Sequence, residues 1–323
     1  MSQRAAFLVA AMAAAGRPVA DGERLAVAVS GGPDSIGLLA AAALAFPGRV
    51  VALTVDHGLR AASAAEADAV AAQCAARGIA HHSLRWSGAR PSTDLQAAAR
   101  AARYRLMLDW CAAGGVPMLL TAHHLEDQAE TLLMRLARGS GSAGLAGVRR
   151  LRRQDGIDIV RPVLSLSRAT LARWAEGWAT IDDPSNADER FDRTAVRGLL
   201  AREGALLPAP ALAATAAHLA AVEDALLWVA DQAWDGRVRL DGDALWLDAA
   251  GLPDELRRRL VRRAVATVGP ALAVREAAIM RLMARLDSGQ PSTLAGVMVQ
   301  PMGGPDALWR FRKAPKRRNP ALN

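Results

Sequence analysis

Short apolar runs alternate with longer helical segments between residues 24 and 138. The run at residues 25–29 is short and continuous, as in a central parallel strand buried on both faces of a sheet, and the longer segments have the composition of helices. The alternation predicts an α/β fold in which a doubly wound parallel sheet carries helices on both faces. Strands are predicted at residues 25–29, 50–55, 80–86 and 116–121, and helices at residues 36–46, 61–77, 93–113 and 125–138.

Beyond residue 138 the regular alternation weakens. Residues 139–147 are a glycine-serine segment, which is either a flexible linker or a mobile lid. A further strand is expected at residues 157–163, followed by a helix over residues 167–177 with Ser167 as its N-cap. The two prolines within residues 206–210 then mark a domain boundary.

The boundary predicts two domains, residues 1–205 and residues 211–323. The second and smaller one is expected to be α+β: a long Ala-rich helix, a hairpin around Asp241-Gly242-Asp243, two helices and a final strand pair. At the other end of the chain, the apolar stretch after Arg4 loosely imitates a signal peptide. A strand pattern follows about ten residues later, so a helix covering the first domain is the preferred interpretation.

The segment between the first strand and the first helix contains the first candidate chemistry. Glycines in such a turn let the backbone approach an anion, and the N–H groups at the start of the following helix bind it. Asp34 is suited to holding Mg²⁺ against a phosphate. We call this segment the phosphate loop; it consists of Ser30, Gly31, Gly32, Pro33, Asp34 and Ser35.

A second candidate cluster follows the fourth predicted strand. Helical spacing puts His123, Asp127 and Glu130 on one face near a helix N-terminus, where they could bind metal, move a proton or hold a cationic substrate. The alternative is a capping cluster, in which the acidic residues only stabilise the helix through their favourable interaction with its dipole. Because the carboxyl ends of parallel strands form one edge of the sheet, this cluster is expected beside the phosphate loop. Arg100 and Arg103 share a helix face, and either neutralise phosphates or are simply solvated.

The charge balance points to an anionic partner. The formal net charge is +8, the sequence pI is about 10.8, and all but two of the 40 basic residues are arginines, which pair well with phosphates. Basic clusters at residues 257–263 and 313–318 are either RNA contacts or a solvated helix face and a disordered tail. No uninterrupted apolar run reaches the roughly 18 residues of a membrane span, so no membrane partner is expected.

Together these segments resemble the tRNA(Ile)-lysidine synthases, a family of PP-loop ATP pyrophosphatases with a Rossmann-like sheet. The resemblance covers residues 24 to 200 and is carried by the phosphate loop, Asp56-His57-Gly58-Leu59-Arg60, Ala102-Arg103-Tyr104, His123 to Thr131, Arg161-Pro162 and Asp182 to Asn186. It implies a ligase that adenylates the C2 oxygen of the wobble cytidine of tRNA(Ile) with anticodon CAU. The ε-amine of free L-lysine then displaces AMP, which gives lysidine.

The resemblance also implies roles for individual residues. Asp34, Arg103, His123 and Asp127 match catalytic positions, and Asp34 with Asp127 would hold Mg²⁺. ATP would be bound by Ser30 to Ser35 with Asp56 and His57. Arg100, Glu130, Arg193 and Arg197 are candidate substrate contacts, with Glu130 meeting the lysine ammonium group. The expected cofactors are ATP and Mg²⁺, the expected location is cytoplasmic, residues 211–323 would bind tRNA, and a homodimer is left open.

The chain departs from the family pattern at three places: Glu126 replaces an aspartate, Val148 replaces a methionine, and Thr194-Ala195 interrupts a stretch that normally contains Arg-Asn. Two other functions compete. A sulfur-inserting PP-loop tRNA enzyme would need reactive cysteines, whereas Cys74 and Cys111 lie within predicted helices and outside the motifs. A non-catalytic tRNA-binding protein would not need an intact phosphate loop.

Overall fold

The computed structural model describes residues 1–58, 63–88, 95–181, 192–270, 274–302 and 308–315. The chain divides into two compact units, Met1–Ala221 and Val222–Asn323. The division falls within one long helix, α9 (Ala209–Arg237).

The first unit contains a six-stranded sheet with the order β3-β2-β1-β4-β6-β5. Every adjacent pair is parallel except β5 and β6, which are antiparallel. The strands are β1 (Leu25–Ala28), β2 (Val50–Asp56), β3 (Ala80–Arg85), β4 (Met118–Leu120), β5 (Leu151–Gln154) and β6 (Ile157–Val160). The predicted α/β fold with a parallel sheet is thus confirmed, although the pattern did not indicate β5, a short edge strand with two exposed arginines.

Helices cover both faces of this sheet. Side chains of α1, α2, α3 and α7 form one buried cluster with β1 and β2, and α4 forms a second cluster on the opposite face. The helices are α1 (Gln3–Ala14), α2 (Pro33–Ala45), α3 (Ser63–Ala75), α4 (Leu95–Ala113), α5 (Leu125–Ala137), α6 (Ser142–Leu145), α7 (Arg168–Trp174) and α8 (Asp192–Arg202). The helix predicted to cover the domain is α1, whose Leu8 and Met12 are fully buried. Ser167 caps α7 as expected, since its side chain accepts from the Thr170 N–H.

The strand order places a crevice between β1 and β4. The chain runs from β1 outward to β2 and β3, then returns to the other side of β1 with β4. Loops that leave the carboxyl ends of β1 and β4 therefore diverge, and ligands of doubly wound sheets bind at such a reversal. The phosphate loop follows β1, and His123 and Asp127 follow β4, so both predicted clusters come to this crevice.

The second unit is a five-stranded antiparallel sheet with the order β7-β8-β11-β10-β9. Its strands are β7 (Val238–Asp241), β8 (Ala244–Asp248), β9 (Ser292–Leu294), β10 (Val297–Pro301) and β11 (Leu308–Lys313), and its helices are α10 (Asp254–Val268) and α11 (Glu276–Asp287). Alternate residues such as Leu245, Val299 and Phe311 are buried with the apolar faces of both helices. The hairpin β7-β8 was predicted; the final strand pair is extended by the short strand β9.

The helix α9 is 29 residues long, and its mean hydropathy over an 18-residue window is 1.4. By length and composition alone, such a helix could cross a membrane, although only 11% of that window is buried in the structure. The sequence-based expectation of no membrane-spanning segment rested on a stricter criterion, an uninterrupted apolar run. The acidic residues Glu223 and Asp224 interrupt the apolar sequence of α9, so this helix does not meet that criterion.

Gly37 allows α2 to lie against α7 at very short distance. A Cβ at this position would stand 2.3 Å from the backbone oxygen of Leu171. Ordinary helix propensity favours alanine over glycine by about 1 kcal/mol, but overpacking costs about 1–3 kcal/mol and a backbone obstacle cannot rotate away.

We therefore predict that Gly37→Ala lowers the free energy of unfolding, measured by urea denaturation. Gly236→Ala is the matched control, because this helical glycine has no atom within 4 Å of an added Cβ. The control should be neutral or slightly stabilising. A Gly37→Ala protein as stable as the wild type would contradict the close packing of α2 against α7.

Candidate active site

The phosphate loop is a tight turn held by its own serine hydroxyls. The Ser35 hydroxyl accepts a hydrogen bond from the Ser30 N–H at 3.1 Å and donates one to the Gly32 carbonyl at 3.0 Å. Gly31 has a φ of +86°, in the region that favours glycine. Gly32 is the N-cap of α2 and Pro33 its first residue, so the free N–H groups at the start of α2 belong to this loop. The loop has the local geometry of an anion site.

A segment of the chain, residues 177–181, crosses the phosphate loop. The Ile181 N–H donates to the Gly31 carbonyl at 2.9 Å, and a Cβ on Gly31 would lie 2.6 Å from the Ile181 Cδ1. Gln73 of α3 holds the segment by both backbone groups of Ala179, donating to its carbonyl at 3.0 Å and accepting from its N–H at 2.7 Å. The segment thus fixes the backbone of Gly31 from outside the loop.

His124 begins the second half of the site, because it is the N-cap of α5. Asp127, at the third position of the helix, accepts a hydrogen bond from the His124 N–H at 3.0 Å. This reciprocal capping explains why the chain turns into a helix directly after β4. It also buries the Asp127 side chain, which is only 12% exposed, beside the imidazole that it caps.

Three carboxylates surround the His124 ring. Its Nε2 lies 3.6 Å from Asp34 of the phosphate loop and 3.5 Å from Asp127, and its Nδ1 lies 2.9 Å from Glu126. Burial alone would lower the pKa of His124, but the carboxylates of Asp34, Glu126 and Asp127 outweigh it and raise the pKa to about 10. The ring is therefore a cation that joins the loop after β1 to the helix after β4. The interpretation from sequence had selected His123 and passed over His124.

His123 has the opposite electrostatic environment. Burial lowers its pKa, and the nearby guanidinium groups of Arg161, Arg100 and Arg193 add to this effect against the charge of Asp127. Its Nε2 lies 3.4 Å from an Arg100 Nη2, which can only donate, so the proton of the neutral ring is assigned to Nδ1, 3.0 Å from the Thr121 hydroxyl. Adjacent histidines are thus held in different protonation states.

Asp34 and Asp127 were predicted to hold Mg²⁺. The Asp34 Oδ1 is buried and has no hydrogen-bond partner among the described residues, so an oxygen ligand is available on the phosphate-loop side. No group of three or more His, Cys, Asp or Glu residues with metal-binding geometry occurs in the described part of the chain. Mg²⁺ in nucleotide enzymes commonly takes one or two carboxylates and completes its shell with phosphate oxygens and water. The donor set present fits that pattern.

Two residues predicted from the sequence, Asp56 and His57, lie at the end of β2 and organise the loop that follows it. The Asp56 carboxylate accepts from the Ser63 hydroxyl at 2.6 Å and from the Gly58 N–H at 2.8 Å, and both bonds hold its pKa below the ordinary value. His57 accepts a hydrogen bond from the Arg103 Nε at 3.2 Å, and burial, followed by the charge of Arg103, lowers its pKa. Arg103 is thereby connected to the end of β2.

Glu130 lies one helical turn beyond Asp127 and is almost fully buried, with 3% of its side chain exposed. Arg197 of α8 contacts it at 2.7 Å and Arg193 at 3.1 Å, and Arg193 also lies 4.0 Å from Asp127. Burial raises the pKa of Glu130 against the influence of both arginines. Three residues predicted as separate substrate contacts are therefore paired with one another, and the pairing docks α8 onto α5.

Two further residues of the site, Glu126 and Arg168, were not assigned a role from the sequence, although Glu126 was noted as a departure from the family pattern. Glu126 accepts a hydrogen bond from the Arg168 N–H at 3.0 Å, so the residue that replaces the family's aspartate links His124 to the start of α7. The Arg168 Nε lies 3.7 Å from Asp34. The position of Arg168 directly after the N-cap Ser167 was visible in the sequence, but nothing there indicated that α7 begins beside the phosphate loop.

The glycine-serine segment is anchored at its end. The Gln128 side chain donates to the Val148 carbonyl at 3.0 Å and accepts from the Val148 N–H at 2.6 Å. Arg135 donates to the carbonyls of Gly144 and Gly147, at 2.5 and 2.9 Å. Since the contacts with Val148 use backbone atoms, they do not depend on the methionine that the family pattern places there.

The motif residues Leu59, Arg60 and Asp182 to Asn186 lie outside the described residues.

The chain is similar to known proteins over most of its length. A family model described as the PP-loop domain matches residues 5–203. The tRNA(Ile)-lysidine synthase of Novosphingobium aromaticivorans is 42% identical over 302 residues, which cover 92% of this chain and 90% of the relative. The tRNA(Ile)-lysidine synthase of Methylobacterium nodulans is 48% identical over 253 residues, which cover 75% of this chain and 74% of that protein.

Among solved structures, the chain is similar to the U34-tRNA thiolase NcsA from Methanococcus maripaludis with its [4Fe-4S] cluster. The TM-score is 0.54 at 14% identity, and the match covers 69% of this chain and 79% of that one. This likeness shows a shared fold alone. Both cysteines of the present chain are buried, and burial raises the pKa of Cys74 to about 11 and that of Cys111 to about 12, so neither thiol supplies a thiolate near neutral pH.

The contact between Gly31 and Ile181 generates a prediction about nucleotide binding. Gly31→Ala should weaken ATP binding, measured by calorimetry, because its side chain meets Ile181 and its backbone has a positive φ. The double variant Gly31→Ala/Ile181→Ala separates the two causes, since it removes the clash and keeps the strain. Partial recovery in the double variant is expected, and ATP affinity unchanged in Gly31→Ala would contradict the prediction.

Proposed function

The chain belongs to the tRNA(Ile)-lysidine synthase family, and on that premise we propose that it converts the wobble cytidine of a tRNA(Ile) with anticodon CAU into lysidine. The family establishes the coarser activity, which is tRNA modification by ATP-dependent ligation. The single observation that carries the finer proposal is the cluster around His124, which brings the phosphate loop and the start of α5 into one site.

The proposed reaction has two steps. The C2 oxygen of cytidine attacks the α-phosphorus of ATP, an O–P bond forms, and pyrophosphate leaves. The ε-amine of lysine then attacks C2 and loses a proton, and the C2–O bond breaks so that the original oxygen departs with AMP. Adenylation is required because an unmodified carbonyl oxygen is a poor leaving group.

The phosphate loop would bind the triphosphate, with the N–H groups of α2 and the serine hydroxyls as donors. Arg168, near Asp34, and Arg103, beside His57, would balance charge that develops on pyrophosphate. Mg²⁺ held by Asp34 and Asp127 would supply further charge stabilisation at the phosphates. Arg100 and His123, paired at 3.4 Å, would form a wall of the same crevice.

Lysine would be recognised by a carboxylate near the start of α5. Glu130 is already neutralised by Arg193 and Arg197, so an ammonium group reaches it only by replacing one of these partners. Arg193 makes the longer contact and is the candidate for exchange. Because Arg193 also approaches Asp127, lysine binding at Glu130 would alter the charge around Asp127 as well.

The second candidate function is that of a non-catalytic tRNA-binding protein. The intact phosphate loop argues against it, because such a protein would not need one. We further propose that the enzyme is cytoplasmic and has no membrane partner. The homodimer considered from the sequence stays a hypothesis that sedimentation would test.

The decisive experiment incubates the protein with ATP, lysine and a CAU-anticodon tRNA(Ile) transcript, followed by mass analysis of the wobble nucleoside. We expect a gain that corresponds to lysine minus water, together with one AMP for each lysine. Release of AMP without a lysine-dependent gain would place the chain in another ATP-dependent reaction, and tRNA binding without any AMP would favour the non-catalytic alternative.

Asp127→Asn is expected to lower kcat by about 10²-fold or more. The negative charge that develops on the reacting phosphates would lose the Mg²⁺ that Asp127 is proposed to hold. Asparagine keeps an oxygen that can accept from the His124 N–H, so the helix cap should survive. Asp109→Asn on α4, outside the site, is the control that removes the same charge. Near-normal lysidine formation by Asp127→Asn would exclude this residue from the assigned role.

A further inference from the structure

The basic residues of the second unit fall into two classes, which differ in whether a carboxylate already neutralises them. The arginine cluster at residues 257–263 of α10, an RNA candidate by sequence, belongs to the neutralised class. Its ion pairs are Arg257 with Asp254 and Asp287, Arg258 with Glu255 and Glu276, Arg259 with Glu223 and Glu255, Arg262 with Glu276, and Arg263 with Asp231. A phosphate would have to compete with these carboxylates for each guanidinium group.

The second class lies on the face of the antiparallel sheet that is turned away from α10 and α11. Buried residues alternate with partly exposed ones along β8, β10 and β11, and the buried set forms the core. The opposite set contains a row of four residues directly across neighbouring strands: Arg239, Trp246, Arg310 and Gln300. The next row pairs Arg312 with Met298.

Trp246 holds two of these arginines in place. The guanidinium carbons of Arg239 and Arg310 lie over its ring, 5.2 and 5.7 Å from the centroid, and they approach from the strands on either side. Arg310 donates to the Gln300 side chain at 2.6 Å, while its Nε has no acceptor among the described residues. Cation–π contacts of this kind orient a guanidinium group without neutralising its charge.

The charge of this face is not cancelled locally. No ion pair within the described residues involves Arg239, Arg310 or Arg312. Of the carboxylates on the same face, Asp248 is paired with Arg237 at 3.3 Å, and Asp241 lies at the hairpin turn. The face therefore keeps a positive excess that the α10 cluster does not.

We propose that this face, formed by Arg239, Arg310 and Arg312 around Trp246, binds the sugar–phosphate backbone of the tRNA. The proposal rests on the function proposed above, which supplies RNA as the substrate, and it assigns the contact to the sheet instead of α10. Planar guanidinium groups form bidentate bonds with phosphate oxygens, and their prior alignment reduces the entropy lost on binding. Backbone contacts of this kind set affinity and salt dependence without reading base identity.

The test compares two double variants of the full-length protein that remove the same charge from the same unit. Arg310→Gln/Arg312→Gln alters the sheet face, and Arg262→Gln/Arg263→Gln alters α10, where both side chains are about equally exposed, at 43% and 44%. Binding of the CAU tRNA(Ile) transcript is measured by fluorescence anisotropy across a series of salt concentrations. Thermal denaturation verifies that both variants are folded.

We expect the sheet variant to bind the transcript about tenfold or more weakly and to reduce the slope of log K against log salt by roughly 2, one for each phosphate that the protein no longer neutralises. The weakening should be equal for a transcript with an altered anticodon, since phosphates carry no sequence. The α10 variant should keep the wild-type slope. Arg312→Glu alone should weaken binding further than Arg312→Gln, which identifies charge as the cause.

Three outcomes would overturn the assignment. An equal or larger effect in the α10 variant would move the RNA surface to that helix. Wild-type binding of the transcript by the sheet variant would show that RNA does not bind this face. If the sheet variant instead lost binding to vesicles of anionic phosphatidylglycerol, the face would be a membrane-contact surface. Because binding is measured without ATP or lysine, a wild-type protein that binds tRNA but forms no lysidine would refute the proposed function and leave this comparison intact.

Discussion

The active crevice depends on one charged contact, the imidazolium of His124 between Asp34 and Asp127. Asp34 belongs to the loop after β1, and Asp127 to the helix after β4, so the contact joins the two loops that diverge where the sheet reverses direction. The carboxylates of Asp34 and Asp127 lie 3.6 and 3.5 Å from the same ring nitrogen, and they would repel each other in the absence of a cation. A positive group between them is therefore a condition for this geometry, and a bound metal with phosphates would meet the same electrostatic demand.

The sequence determined the fold far better than the pairing of side chains. Continuous apolar runs identified the central strands β1, β2 and β4, because burial on both faces of the sheet favours apolar residues at every position. The edge strand β5 gave no such signal, because its Arg152 and Arg153 are exposed. The phosphate loop was recognisable from adjacent residues. His124, in contrast, owes its role to Asp34, which lies ninety positions away in the chain, and local helical spacing favoured His123 instead.

The sequence also did not reveal which charged side chains are paired with one another. An excess of arginine correctly suggested an anionic partner class, but composition could not separate arginines that neutralise the protein's own acids from those that remain uncompensated. On α10, the arginines are neutralised partly by Asp254 and Glu255 of the same helix and partly by carboxylates of α9 and α11, which are remote in sequence. Glu130 shows the converse case: a buried acid that looked available for a substrate amine already holds two arginines of α8.

The clamp between Gln128 and Val148 has a consequence for how this enzyme can vary during evolution. A side-chain amide that binds a peptide group ignores which residue carries that peptide, so position 148 can drift among side chains at little cost. The restraint is transferred to Gly147, where a Cβ would lie 2.5 Å from the Gln128 Oε1 and where φ is +66°. Selection should therefore act on the glycine and the glutamine as a pair, while the residue they position is left free to change.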